Sequence, residues 1–146
     1  MKIHIGADHA GFEMKQKLVA WLKEQGYEVI DYGAHELDPS DDYPDFIEPV
    51  AEAVAKDSES RGIILGGSGQ GEAMDANRLA HVRAAEYYGG NLEIVRLARA
   101  HNDANTLSLG ARFVNFEEAQ KAIELFLTTS FEAGCHEKRV EKIDKF

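Results

Sequence analysis

Short runs of β-type residues alternate with segments of helical periodicity along the chain. Five apolar runs predict strands, and their ranges are Lys2–Gly6, Tyr27–Tyr32, Gly62–Leu65, Val82–Tyr87 and Thr106–Leu109. Between them, apolar residues recur at the spacing of one buried helix face. Such an alternation predicts an α/β fold in which helices cover both faces of a five-stranded parallel sheet.

Six helices are expected between and after these strands. Their apolar stripes or predicted spans are Met14–Leu22 with Gly26 as the stop, Phe46–Val54, Glu72–Arg78, Leu92–His101, Ala119–Leu127 and His136–Ile143. Pro49 is compatible with the second helix only within its first turn. Asn115 and Glu118 form a variant of the capping box. At 146 residues, the chain is expected to be one domain, 1–146.

The composition excludes several classes of protein. A net charge of -10, from 26 acidic and 16 basic residues, argues against a nucleic-acid partner. The single cysteine, Cys135, excludes an intrachain disulfide and fits a reducing compartment. No apolar run approaches the roughly 20 residues of a membrane span, and no signal segment is visible. We therefore expect a cytoplasmic protein that does not bind a membrane.

The acidic residues are concentrated in one segment. Nine acids and one base lie between Glu36 and Ser60. The favoured interpretation is a solvated loop and helix face. An acidic docking patch is the alternative.

A glycine-rich loop follows the third predicted strand. Its glycines are Gly66, Gly67, Gly69 and Gly71. Backbone N–H groups in such a loop can bind an anion, helped by the next helix. A dinucleotide fingerprint would need glycine at position 72, and a P-loop would need Lys-Ser/Thr at positions 72–73. Glu72-Ala73 stands there instead, so nucleotide binding is not expected.

Glu72 and Asp8 are candidates for proton transfer. Glu72 beside the loop could remove a carbon-bound proton while the loop N–H groups stabilise an oxyanion; alternatively, it interacts only with the helix dipole. Asp8 and His9 follow the first strand at the same sheet edge and could handle hydroxyl protons. The alternative is an Asp helix cap with an incidental histidine. No further ligand cluster of suitable spacing accompanies them, so no metal is expected.

Three further sets of residues are candidates for the site. His101 and Asn102 precede the fifth strand and should lie at the edge opposite Glu72, so a catalytic His101 would have to come from a second subunit. Taken alone, that segment is a turn. Arg112 follows the fifth strand at the edge of Glu72. Arg139 lies on the last helix, which is interpreted as a solvated basic face.

Together these stretches resemble the family of ribose-5-phosphate isomerase type B and galactose-6-phosphate isomerase. The matching segments, in family order and covering nearly the whole chain, are 6–12, 42–45, 61–72, 76–77, 101–105 and 109–112. The resemblance implies a Rossmann-like three-layer sandwich. It also implies a homodimer with shared active sites, which in some members pairs into a tetramer. The implied reaction is an aldose–ketose isomerisation of a small sugar phosphate through an enediolate, without metal or cofactor.

The resemblance also implies residue roles. Glu72 would be the base, since many relatives use a cysteine where this chain has Gly66. Other roles implied for this sequence are an enediolate cradle (Gly67, Ser68, Gly69, Gly71), ring opening and hydroxyl handling (Asp8, His101, with Asn102 alongside His101) and a phosphate grip (His9, Arg112, Arg139).

Three positions depart from the family pattern. Cys135 replaces an arginine that helps to hold the phosphate, Asp75 replaces a small apolar residue, and a proline is missing from 79–81. Ribose 5-phosphate and ribulose 5-phosphate are the expected substrate pair. The alternatives are a hexose or tetrose phosphate, or a non-catalytic subunit that binds a sugar phosphate.

Overall fold

The structure, a computed structural model, describes residues 1–145. Five parallel strands form one sheet in the order β2-β1-β3-β5-β4. Their bounds are β1 Lys2–Ala7, β2 Glu28–Asp31, β3 Arg61–Gly66, β4 Ala84–Tyr87 and β5 Thr106–Gly110. The predicted five-stranded parallel sheet is confirmed, and only strand ends differ, by one or two residues.

Six helices accompany the sheet. Their bounds are α1 Phe12–Glu24, α2 Pro44–Lys56, α3 Gln70–Ala76, α4 Glu93–Asn102, α5 Phe116–Thr128 and α6 Glu137–Ile143. Residues of α1, α4 and α5 share one apolar core, and residues of α2 and α3 share the other. The predicted three-layer α/β sandwich is therefore confirmed. None of these helices has the length and apolar content needed to cross a membrane.

The central strands are buried on both faces because their side chains alternate between the two cores. Ile63 and Leu65 of β3 pack into the core beneath α1, α4 and α5, whereas Ile64 packs against α2. Successive residues of a strand point to opposite faces, so an unbroken apolar run suits a strand covered on both sides.

The strand order creates a crevice between β1 and β3. The chain passes from β1 to its neighbour β2 on one side and then returns to β3 on the other. In open parallel sheets, ligands bind where the strand order reverses, beyond the carboxyl ends of the strands. The segments after β1 and β3 are those beginning at Asp8 and Gly67.

The prediction for Pro49 is wrong. Because α2 begins at Pro44, Pro49 lies in the helix interior rather than in its first turn. An interior proline removes one backbone hydrogen bond and crowds the preceding turn. The helix continues because its other face is fully packed, with Ile47, Val50 and Ala51 completely buried. Tertiary packing here outweighs local propensity.

The predicted capping box of α5 is half formed. The Asn115 side chain accepts a hydrogen bond from the Glu118 backbone N–H, at 2.9 Å. The Glu118 carboxylate instead accepts a hydrogen bond from the Tyr87 hydroxyl, at 2.8 Å. The side chain that would complete the cap thus ties α5 to β4.

His4 should make stability depend on pH. It is 4% exposed on β1, and its Nδ1 lies 3.0 Å from the Tyr32 hydroxyl. Within residues 1–145, its Nε2 has no hydrogen-bond partner. Burial, with a smaller contribution from Lys2, lowers the pKa of His4. The unfolded chain therefore takes up a proton first as pH falls below about 6.5, so His4 favours folding above that pH and less so below it.

We expect the free energy of unfolding to fall between pH 7.5 and pH 5.5, and to fall less in His4→Phe. Phenylalanine keeps a ring against Tyr32 but cannot be protonated. Urea titrations of both proteins at each pH measure the difference. An equal loss of stability in both would contradict this role of His4.

Candidate active site

A cavity of about 280 Å³ lies at the carboxyl edge of the sheet, in the crevice between β1 and β3. Seven of the residues predicted for the site line it, together with Ala10 and Tyr43. The seven are Asp8, His9, Gly67, Ser68, Gly71, Glu72 and Arg112. Segments far apart in sequence thus converge because the carboxyl ends of parallel strands meet at one edge.

Glu72 supplies a buried carboxyl group to this cavity. It lies in the first turn of α3 and is 4% exposed. Burial raises the pKa of Glu72, the carboxylates of Asp8, Glu86 and Asp75 raise it further, and a backbone hydrogen bond opposes the rise. Burial therefore outweighs this backbone hydrogen bond. A carboxylate of raised pKa is a stronger base and suits proton abstraction near neutral pH.

Gly66 is required by the position of Glu72. A Cβ atom at position 66 would occupy the same space as the Glu72 carboxyl group. A cysteine at position 66 and Glu72 in this conformation therefore exclude each other. The Glu72 carboxyl group thus occupies the space that a cysteine side chain at position 66 would fill.

The glycine loop is shaped by two further close approaches. Gly69 has φ +83, a left-handed conformation that favours glycine, and its carbonyl accepts a 2.6 Å hydrogen bond from Ser108. A Cβ atom at Gly71 would lie 2.9 Å from the Tyr43 ring. Gly69 shapes the turn but does not itself line the cavity.

Asp8 and Ser68 make hydrogen bonds to the backbone beside them. Asp8 is 7% exposed, and its Oδ1 accepts from the N–H groups of Ala10 and Gly11 at 3.0 and 3.3 Å. Ser68 Oγ accepts from the N–H of Gln70 at 3.3 Å. The alternative of Asp8 as a helix cap is therefore wrong, because the N-cap residue of α1 is Gly11 and Asp8 closes the turn before it. The Asp8 side chain also lines the cavity.

His9 and Arg112 give the cavity its positive charge. His9 is 30% exposed, and its Nδ1 lies 2.6 Å from Oδ1 of Asp41. The hydrogen bond to the Asp41 carboxylate raises the pKa of His9. Arg112 is exposed, and within residues 1–145 no carboxylate lies within 4.0 Å of its guanidinium. A cavity in a chain of net charge -10 thus carries a guanidinium and an imidazole whose pKa is raised.

Three predicted site residues lie elsewhere in this chain. His101, Asn102 and Arg139 do not line the cavity. His101 is at the end of α4, which leads into the start of β5, so it lies at the opposite edge as expected. Asn102 lines a larger cavity, of about 680 Å³, beside β4. Arg139 is exposed on α6 and donates a 2.6 Å hydrogen bond to the Cys135 carbonyl.

His101 forms a small cluster with two other side chains. Its ring stacks on His136, with centroids 4.2 Å apart and planes 11° apart, and its Nε2 lies 3.6 Å from Glu132. The backbone N–H of Glu132 donates to the Ala100 carbonyl, which holds the segment before α6 against α4. The exposed Lys138, Arg139 and Lys142 agree with the predicted solvated basic face.

Two groups of potential metal ligands occur in the described part of the chain, Asp8–His9–Asp41 and His101–Glu132–His136. In the first, backbone N–H groups donate to Oδ1 of Asp8 and to Oδ1 of Asp41, and the latter also lies 2.6 Å from the His9 Nδ1. In the second, the two imidazole rings are stacked, so the lone pairs in their nearly parallel planes do not converge.

Sequence reasoning missed two residues at this site. Tyr43 belongs to a segment used for the family resemblance, but no role was assigned to it. Asp41 was included in a segment interpreted as solvated, and that interpretation is wrong for this residue, whose side chain is 8% exposed. No local pattern signals the contact, because Asp41 and His9 are 32 residues apart.

The fold and the site together define a parallel α/β protein with a polar cavity at the carboxyl edge of its sheet. Comparison with known proteins identifies the family: residues 3–143 match the model described as Ribose/Galactose Isomerase. The chain belongs to this family, and the predicted membership is confirmed.

Relatives match over almost their whole length. Ribose-5-phosphate isomerase B of Mycolicibacterium paratuberculosis is 38% identical over 147 residues, covering 100% of this chain and 91% of the relative. The structure of the Clostridium thermocellum ribose-5-phosphate isomerase B has a TM-score of 0.92 and 44% identity, covering 99% of this chain and 96% of the other. The Mycoplasma genitalium enzyme with bound ribulose 5-phosphate has a TM-score of 0.94 and 39% identity, covering 99% and 94%.

Proposed function

We propose that this protein interconverts ribose 5-phosphate and ribulose 5-phosphate. The observation that carries the proposal is the buried carboxyl group of Glu72, whose pKa is raised, in one cavity with His9 and Arg112. Relatives at 38–40% identity are named for this activity. One relative of the same fold binds ribulose 5-phosphate.

The reaction needs one carbon-bound proton to move. The Glu72 carboxylate takes the proton from C2 of the open-chain aldose, and the electron pair moves through C1 to the aldehyde oxygen. The resulting enediolate is protonated at O1 and loses its O2 proton, and Glu72 returns its proton to C1 to give the ketose. Backbone N–H groups of the loop at Gly67 and Gly71, which line the cavity, are assigned to stabilising the oxyanion.

Ring opening must precede this step, because the sugar phosphate is largely cyclic. Asp8 and Ser68 line the cavity and are assigned to hydroxyl protons there. His9 and Arg112 are assigned to the phosphate, since fixed donors and positive charge bind phosphate oxygens well. Their charge offsets the repulsion that an anionic substrate meets from an acidic protein.

A second copy of the chain would complete the site. His101, Asn102 and Arg139 belong to the family pattern but do not line the cavity of their own chain. A two-fold homodimer would bring these residues of one subunit to the Glu72 cavity of the other, twice per dimer. Pairing of such dimers into a tetramer is compatible with this arrangement.

Cys135 favours a second candidate within the same class. Where the family has an arginine, this chain has an exposed cysteine beside Arg139. A rebuilt phosphate grip would suit another sugar phosphate, such as a hexose 6-phosphate or a tetrose phosphate. A subunit that binds sugar phosphates without catalysis is the alternative from another class.

A panel of aldose phosphates tests these candidates together. Ketose formation is measured for ribose 5-phosphate, galactose 6-phosphate and erythrose 4-phosphate, alongside incorporation of deuterium from solvent into each sugar. The proposal expects the highest kcat/KM for ribose 5-phosphate, with deuterium at the carbon next to the carbonyl. A higher value for another sugar would reassign the substrate, and binding without exchange would identify a non-catalytic subunit.

Cys135→Arg should lower KM for ribose 5-phosphate by about three- to tenfold, because a guanidinium binds two phosphate oxygens at once. Cys135→Ser is the matched control and should leave KM unchanged. Both are measured by ketose formation at neutral pH. A higher KM in Cys135→Arg, with unfolding unchanged, would mean that the site is built around a different substrate.

A further inference from the structure

Asp41 makes two contacts with His9 from the loop before α2. Its Oδ1 accepts a hydrogen bond from the backbone N–H of His9 at 3.0 Å and lies 2.6 Å from the ring Nδ1. The Asp41 side chain is 8% exposed. With an ionised Asp41, Nδ1 is the donor, so the ring is fixed in orientation and its Nε2 is left for another partner.

The charges around His9 come from four side chains on three segments. Asp8 Oδ2 lies 3.9 Å from Nδ1, Arg112 approaches from the segment after β5, and Asp38 interacts from the loop of Asp41. The Asp41 hydrogen bond raises the pKa of His9, burial opposes the rise, Asp8 adds to it, and Arg112 lowers it. Asp41 is thus the dominant partner of the ring.

We propose that Asp41 is a positioning residue that keeps His9 protonated, so that His9 and Arg112 together bind the dianionic phosphate of the substrate at neutral and mildly alkaline pH. The proposal rests on the proposed function, because it concerns the same cavity. Without Asp41, a partly exposed imidazole beside Arg112 would lose its proton as the pH rises, and the phosphate would lose a charged donor.

If His9 binds the phosphate in its protonated form, anion binding and protonation of His9 must be linked. A ligand that binds the protonated ring more tightly must raise the pKa of that ring when it binds. Sulfate is a suitable probe because it remains a dianion throughout the mildly acidic to mildly alkaline range. Any pH dependence of sulfate binding therefore reflects protonation of the protein.

The chain offers a matched control next to Asp41. Asp42 is exposed and carries the same charge, but it makes no hydrogen bond to His9. Asp41→Asn keeps the shape and an acceptor oxygen while it removes the charge. Asp42→Asn removes an equal charge one residue away, so a difference between the two variants isolates the contact with His9.

The first experiment measures the titration of His9 by NMR and sulfate binding by calorimetry, at pH 6 and pH 8. We expect sulfate to raise the pKa of His9 in the unaltered protein. We expect Asp41→Asn to lower that pKa and to weaken sulfate binding by about tenfold at pH 8, and much less at pH 6. Asp42→Asn should match the unaltered protein. Equal effects of the two substitutions, or the same loss at both pH values, would overturn the proposal.

A second background guards against a general effect on folding. In a His9→Gln protein, Asp41→Asn should cause no further loss of sulfate affinity, because Asp41 acts through the histidine ring. A loss as large as that in the unaltered background would show that Asp41 only supports the loop. Thermal unfolding of each variant verifies that the folded protein is being compared.

The kinetic counterpart separates binding from chemistry. For ribose 5-phosphate, Asp41→Asn should raise KM at pH 8 by about tenfold and change kcat much less, as expected for a group that binds substrate and transition state alike. If the unaltered protein fails to isomerise ribose 5-phosphate but the sulfate and NMR results hold, the proposed function fails and the role of Asp41 stands. Active enzyme with no such pH-dependent KM would refute the role of Asp41 alone.

Discussion

Glu72→Gln should lower kcat/KM for ribose 5-phosphate by about 10²- to 10⁴-fold, the usual range for loss of a general base. Glutamine keeps the shape of the side chain, which fills the space beside Gly66, and removes only its ability to accept a proton. Incorporation of solvent deuterium should fall with turnover. Activity within about threefold of the unaltered enzyme, under conditions where proton transfer limits turnover, would exclude Glu72 as the base.

The pH profile tests the same residue without removing it. Burial raises the pKa of Glu72. As the solution is acidified, kcat/KM should therefore begin to decline at a higher pH than it would if the base were an ordinary, exposed glutamate. The decline occurs as pH falls through that pKa, since the protonated carboxyl cannot act as a base.

Asp75→Asn is the matched control on the same helix. It removes a carboxylate one turn from Glu72 that raises the Glu72 pKa. The acid limb should move to lower pH while activity at neutral pH is retained. An acid limb that stays in place would mean that another group sets it.

Mixed dimers of Glu72→Gln and His101→Ala chains should recover activity that neither variant has alone. In such a heterodimer, one shared site contains both Glu72 and His101 and the other contains neither. Random pairing of equal amounts makes about half of the dimers mixed, so about a quarter of the original sites should be active. The measurement is ketose formation before and after unfolding and refolding the two proteins together.

The contrary result is equally clear. Verified heterodimers that remain as inactive as their parents would refute a site shared between subunits. Refolding each variant alone is the control, and it should give no recovery. Activity in the mixture before subunit exchange would instead indicate contamination.

Much of the fold was predictable because its signals are local. The apolar runs of β3 and β5 and the apolar stripes of α1 and α5 lie within a few residues of sequence, and all four elements occur as expected. The stop near Gly26 also holds, with φ +87 just after α1. The continuation of α2 through Pro49 was not predictable, because the packing that compensates for the proline comes from the sheet.

The site divides in the same way. Asp8, Gly67, Glu72 and Arg112 could be assigned to one edge because each follows or closely follows a predicted parallel strand. Whether the pKa of Glu72 rises or falls was left open by the sequence, since it depends on burial and on the charges of Asp8 and Glu86, which lie on other segments. These effects on the pKa depend on distances through space, which the spacing of residues along the chain does not reveal.

Periodicity and strand direction are properties of neighbouring residues, so the parallel α/β class, the glycine loop before a carboxylate and the sheet edge of His101 could all be inferred from the chain before folding. The folded structure was needed to show that Glu72 is buried against Gly66, that Tyr43 lines the cavity and that Asp41 contacts His9. Those contacts join residues brought together by the strand order of the sheet, and hydrogen bonding, desolvation and charge act through space rather than along the chain.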